Sequence, residues 1–245
     1  MWTRDLLKLN AKHVLQTNYW TALLVCLVTS ILTGSNTGLS VHYSVQLDDF
    51  YYSGPFRFLS GPVLMSILGI GFLASLIGIA IAVFIRNPVT VGKSRYFMES
   101  RVGNAPFSSV FSTFGGPAYR NIVKVMFMKD LFIALWSLLL IIPGMYKAYQ
   151  YRMVDYLLAE NPYMPYQRAL ELSRQMTEGE KFNIFILEVS FFGWIFLGGL
   201  LCGIGSIFVL PYIEATFAEL YAALRAKAFA SGMTDSTELG DFVRY

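Results

Sequence analysis

Charge is what this sequence has least of. Of its 245 residues only 14% are Asp, Glu, Lys or Arg, where an average soluble domain carries about 25%. With 55% hydrophobic residues and a mean hydropathy of +0.51, that deficit places the chain among integral membrane proteins and leaves no piece long enough for a separate soluble domain. Histidine is nearly absent. His13 and His42 lie on opposite sides of the first apolar run, which excludes a local metal cluster and a histidine-based catalytic centre. The two cysteines, Cys26 and Cys202, each sit inside an apolar run, so a disulfide framework and a C-x-x-C redox pair are excluded and both read as packing thiols. There is no phosphate loop, G-x-S-x-G, H-E-x-x-H or EF-hand loop. The net charge of +3 is scattered rather than gathered on a basic face, so neither a nucleic-acid partner nor a cofactor is expected. Membrane lipids are the expected partners, and self-association or a protein partner stays open.

What is present is a series of apolar runs with punctuation between them, which predicts an all-α, polytopic transmembrane helical bundle of about six spans in one domain, 1–245, with two interfacial amphipathic helices. Residues 1–18 form the first of these helices, with Leu6, Leu7, Val14 and Leu15 on one face and Arg4, Lys8 and Lys12 on another. Tyr19 and Trp20 mark the interface, and a first, uncleaved span follows over 20–32. Residues 34–60 read as an extracytoplasmic loop bearing Asp48, Asp49 and a single cation, Arg57. The second span, 61–85, has no charge, and Gly71, Ser75, Gly78 and Ala82 form a small-residue stripe suited to helix packing. Asn87-Pro88 reads as an N-cap with proline at the first helical position, opening a short helix through Met98.

A third span is expected over 122–142. Residues 122–158 as one straight helix would be about 56 Å long, against a bilayer core of about 30 Å. Pro143-Gly144 is therefore read as the turn of a hairpin, with a fourth span over 145–158. A cytoplasmic segment, 159–181, holds the second amphipathic helix, ended by Gly179. Spans over 182–201 and 204–224 follow, with Gly199 and Gly203 spaced for close packing, and 226–245 forms a polar cytoplasmic tail that frays. In this layout fourteen of the nineteen Lys and Arg residues fall on one side, with both termini, and one falls on the other. By the positive-inside rule the termini are cytoplasmic.

Ionisable residues at membrane depth are the candidates for function, because an uncompensated charge there costs roughly 2.5–3.5 kcal/mol on insertion scales. Asp130, Lys147, Tyr149, Tyr151, Arg152, Asp155 and Glu214 are the candidate binding residues. Lys147 and Arg152 are expected to pair with Glu214, just beyond Pro211, in a buried polar cluster. No residue is assigned a catalytic or metal-binding role.

Several pieces of the chain together resemble a known group. They are Asn87-Pro88 with Gly92 and Arg95-Tyr96-Phe97, then Ile142-Pro143-Gly144 with Lys147, Tyr149, Tyr151, Arg152 and Tyr156. Glu160-Asn161-Pro162, Ala169-Leu170, Ser173-Arg174, Met176 and Gly179 continue the pattern, and Pro211-Tyr212, Ala215-Thr216 and Tyr221 complete it. The chain thereby resembles the bacterial membrane proteins of domain-of-unknown-function family 975 and, more distantly, the membrane domain that accompanies some glycerophosphodiester phosphodiesterases. The resemblance implies a multi-pass protein of the bacterial cytoplasmic membrane and supplies no activity. The residues point to a non-enzymatic bundle that binds or moves a small amphiphile or lipid, or serves the envelope in an accessory role. The alternatives are a membrane enzyme acting on phospholipid-type substrates and an interaction or immunity protein using loop 34–60.

Overall fold

The structure is a computed structural model that describes residues 2–33, 61–200 and 204–240. Among these every regular element is helical, as the apolar periodicity predicts. The 34–60 loop, His42, Cys202 and Gly203 lie outside the described residues.

Helix α1 (Arg4–Thr33) merges the predicted amphipathic helix and first span across a kink at Asn18, whose φ of −118° and ψ of 17° leave the helical region. The Asn18 amide donates to the Gly103 carbonyl at 3.5 Å. Leu7, Ala11 and Leu15 recur at i, i+4 and i+8 and are buried, packed within the chain rather than laid on a membrane. Lys8 and Lys12 stand over the rings of Phe191 and Tyr212, at 4.7 and 5.8 Å.

Gly61 to Val102 is one uninterrupted rod, α2 (Gly61–Ile81), a π-helical turn (Ala82–Arg86) and α3 (Asn87–Val102). Its length is about 63 Å at 1.5 Å per residue. Asn87 is not a cap. It is helical, its backbone N–H reaches back five residues to Ala82, and its side chain donates to Asp130 at 3.0 Å. Pro88 explains the local geometry. Proline has no N–H to give the carbonyl four residues earlier, that of Phe84. The Tyr119 hydroxyl donates to that carbonyl instead, at 2.7 Å. The described residues of α2 are exposed, and a Cβ added at Gly71 or Gly78 would touch nothing. The small-residue stripe therefore packs against no described part of the chain.

α3, expected as a short cytoplasmic helix, is instead central. Val89, Val91, Tyr96, Phe97 and Met98 are buried in the core, and the 3-10 turn Phe107–Phe111 lies so close that a Cβ on Gly92 would sit 1.8 Å from the Val110 carbonyl oxygen. The second half of α1 lies along α3, joined by Tyr96 donating to Thr21 at 2.9 Å. Thr33 and Arg86 consequently line one cleft. The charge count sets those two residues on opposite faces of a core about 30 Å thick, and a shared small cleft is incompatible with that separation.

Helices α4 (Ala118–Leu139) and α5 (Ile141–Gln150) form the hairpin expected from Pro143-Gly144. The chain turns earlier, at Leu140, which is extended (φ −158°, ψ 144°). Pro143 then falls in the first turn of α5, where its missing N–H leaves no helical bond unmade. Ser137 packs against Gly144 so closely that a Cβ there would lie 2.7 Å from the Ser137 Cα. The turn is wholly aliphatic and uncovered, from Leu138 at 87% exposure to Ile142 at 80%. A second turn at Tyr151–Met153 separates α5 from α6 (Val154–Glu160).

Four described helical segments are long and apolar enough to cross a bilayer: Arg4–Thr33, Gly69–Val102, Lys181–Gly199 and Gly205–Ala230. The expected third and fourth spans are not among them. α4 carries Arg120, Lys124, Lys129 and Asp130 along its length, and α5 ends after ten residues.

α7 (Tyr166–Met176) is amphipathic as expected, yet its apolar face joins the core. Ser173, which reads as an ordinary surface residue, is fully buried, accepting from the Met153 N–H at 3.2 Å and donating to the Gln150 carbonyl at 2.9 Å. Gly179, with φ of +76°, supplies the left-handed turn that ends this segment. α8 (Lys181–Leu200) and α9 (Ile204–Ala230) form a second hairpin. Their backbones meet at Gly198 and Gly205, where a Cβ on Gly205 would lie 2.7 Å from the Gly198 Cα. The Gly199 position is open. The tail does not fray over its described part. It folds back so that Leu239 is buried and Arg168 pairs with Glu238 at 2.5 Å.

Candidate functional site

The expected candidates are dispersed over separate contacts. Lys147 sits between the rings of Trp136 and Tyr151, 5.4 Å from each centroid. Arg152 pairs with Glu188 at 2.9 Å and lies over the Phe217 ring. Tyr149 donates to the same Glu188 at 2.5 Å. Asp155 pairs with Lys129 at 2.6 Å, and Asp130 accepts from Asn87. Glu214 pairs with Lys93 at 2.5 Å. The expected cluster of Lys147 and Arg152 on Glu214 is thus replaced. The hairpin aims Lys147 at α4, the Tyr151–Met153 turn brings Arg152 to α8, and central α3 supplies the partner of Glu214.

Lys93 is the residue that sequence reasoning missed, because Asn87-Pro88 marked everything after it as lying outside the membrane. A signal was present. Arg86, Thr90 and Lys93 fall at i, i+4 and i+7, a polar stripe on one helix face.

That stripe forms one wall of a cleft of about 190 Å³ between α1, α3 and α9. α1 contributes Cys26, Thr29, Ser30 and Thr33, again spaced to share a face, and α9 contributes Leu210 and Glu214. Lys93 and Glu214 are both partly buried, with 22% and 23% of their side chains exposed. Arg86 has no ion-pair partner among the described residues, so the cleft carries two cations against one carboxylate. On the same segments, one or two residues from lining residues, Ile31, Phe84 and Phe208 are exposed apolar side chains. The cleft can hold a small polar group carrying negative charge.

Two further ion pairs fasten the helices around this region. Arg101 meets Glu219 at 2.6 Å, which also accepts from Asn10 at 3.4 Å. Arg225 meets Glu160 at 2.7 Å, and Tyr221 donates to that carboxylate at 2.6 Å. Away from the spans, the Arg168 hydrogen bond holds the Glu238 carboxyl below its usual value, and Glu238 in turn raises Arg168. Among the described residues no three His, Cys, Asp or Glu side chains gather as a metal site would need.

The fold and the cleft together define a class, an all-helical membrane bundle with a polar recess set among apolar helices. Residues 97–228, more than half the chain, match the family described as "Protein of unknown function (DUF975)", and the chain belongs to it. Glu214 and Leu210 lie within the matched region, whereas Arg86, Thr90, Lys93 and the α1 wall precede it. No curated protein and no solved structure matches the chain, and the more distant likeness to the phosphodiesterase membrane domain is not shown.

Proposed function

We propose that this protein binds an amphiphile without chemically transforming it, holding the polar head in the cleft between α1, α3 and α9 while the tail rests on exposed apolar surface. The observation that carries the reading is the cleft's excess cation, Arg86, with the exposed side chains of Ile31, Phe84 and Phe208 one or two residues along the chain from lining residues. A charged recess flanked by apolar surface suits a molecule with one anionic end and one apolar end. The long apolar helices support a membrane location, which we take as the cytoplasmic membrane of a bacterium with both termini on its cytoplasmic side. In agreement, Trp2, Leu6 and Leu7 line one groove with Ala223, Ala226 and Ala230, so the two ends of the chain share one end of the bundle.

The test is lipid retention. Purified in mild detergent, the protein is expected to carry stoichiometric lipid by native mass spectrometry, and Arg86→Gln to lose most of it with an unchanged melting temperature. Equal lipid on both proteins would refute the assignment.

A further inference from the structure

The hydrogen-bonding polarity of the cleft narrows what it holds. Thr29 donates to the Val25 carbonyl at 2.8 Å, Thr33 to Thr29 at 2.7 Å and Thr90 to Arg86 at 2.9 Å. Each hydroxyl has one proton, and all three are spent on their own helix backbones. Toward the cleft these residues offer lone pairs. Glu214 engages Lys93 through Oε1, leaving Oε2 as a further acceptor. The walls thus offer acceptors at Thr29, Thr90 and Glu214, while Arg86, the remaining N–H groups of Lys93 and the Ser30 hydroxyl supply donors for an anion. The cleft, of about 190 Å³, has room for a small head group.

We propose that the head bound here is a phosphodiester whose second arm ends in a hydrogen-bond donor, an ammonium or a hydroxyl. The anion meets Arg86, and the arm reaches the Thr29, Thr90 and Glu214 acceptors. Phosphoethanolamine and phosphoglycerol heads meet both conditions, and phosphocholine, which has no N–H or O–H, meets only the first. This rests on the amphiphile-binding reading and names its ligand class.

The full chain in nanodiscs is offered equimolar phosphatidylethanolamine, phosphatidylglycerol and phosphatidylcholine with matched acyl chains, and bound lipid is read by native mass spectrometry. The expected result is a preference of about fivefold or more for the first two over the third, as one lost hydrogen bond implies. Thr90→Val, and separately the isosteric Thr29→Val, should reduce that preference. Equal retention of phosphatidylcholine would overturn the inference and leave amphiphile binding standing. Absence of any bound lipid, with Arg86→Gln silent, would overturn both. Displacement of the lipid by an equal concentration of free glycerol phosphate or phosphoethanolamine would keep the head chemistry and overturn the lipid as its source.

Discussion

Glu160 offers the sharpest test of how the bundle is held. Its side chain is fully buried, and Arg225 is 10% exposed. The carboxylate receives Arg225 Nε at 2.9 Å, Arg225 Nη2 at 2.7 Å and the Tyr221 hydroxyl at 2.6 Å. Arg225 also donates to the Gly240 carbonyl, tying the tail to α9. Glu160→Leu strands a buried guanidinium, and Arg225→Met strands a buried carboxylate. Each is expected to cost about 3–5 kcal/mol, which for a chain of this size lowers the melting temperature by about 6–20 °C. The double variant strands neither charge, so its cost should fall well below the sum, with a coupling of at least about 2 kcal/mol. The assay is thermal unfolding in detergent, followed by tryptophan fluorescence, for all four proteins at one lipid content. Additivity within about 0.5 kcal/mol, or single losses under about 1 kcal/mol, would refute a tightly coupled buried pair.

Gly92→Ala drives a Cβ into the Val110 carbonyl and should destabilise by about 1–3 kcal/mol or more, seen as a lower melting temperature, whereas Gly71→Ala, in open space, should leave it unchanged. Tyr119→Phe leaves the Phe84 carbonyl without its side-chain donor, and a loss of about 0.5–1.5 kcal/mol is expected in the same assay. Acidification should release the tail. Glu238 is held below its usual 4.5 chiefly by Arg168, so the stability it contributes is complete above the ordinary carboxylate range and is lost as pH falls through its lowered value. Hydrogen exchange at residues 233–240 should rise below about pH 4, and Glu238→Gln should show that fast exchange already at pH 7.

The all-helical class, the existence of a hairpin near Pro143-Gly144 and the helix end at Gly179 were legible because each depends on local chemistry. The span count was less so. Hydropathy registers apolar length, but the Tyr151–Met153 turn and the charges along α4 matter only once partners such as Asp155 for Lys129 are known. Asn87-Pro88 misled for a similar reason. Proline at a helix start and proline just past a π turn share one signature, and the difference is made by the hydroxyl of Tyr119, far along the chain on another helix. The polar residues were legible as a set and not as pairs, since pairing Glu214 with Lys93 rather than Lys147 is decided by how α3 packs.

The π turn at Ala82–Arg86 also works as a gear between two surfaces. Its extra residue rotates α3 by about 100° relative to a regular winding. The lipid-facing positions of α2 and the polar stripe of α3 are phased against each other by that single step. Removing one residue between Ala82 and Ile85 should rewind the rod, swinging α2 about its own axis while α3 stays clamped by the core. Loss of a single uncharged residue would then turn an unchanged span to present a different flank to its surroundings.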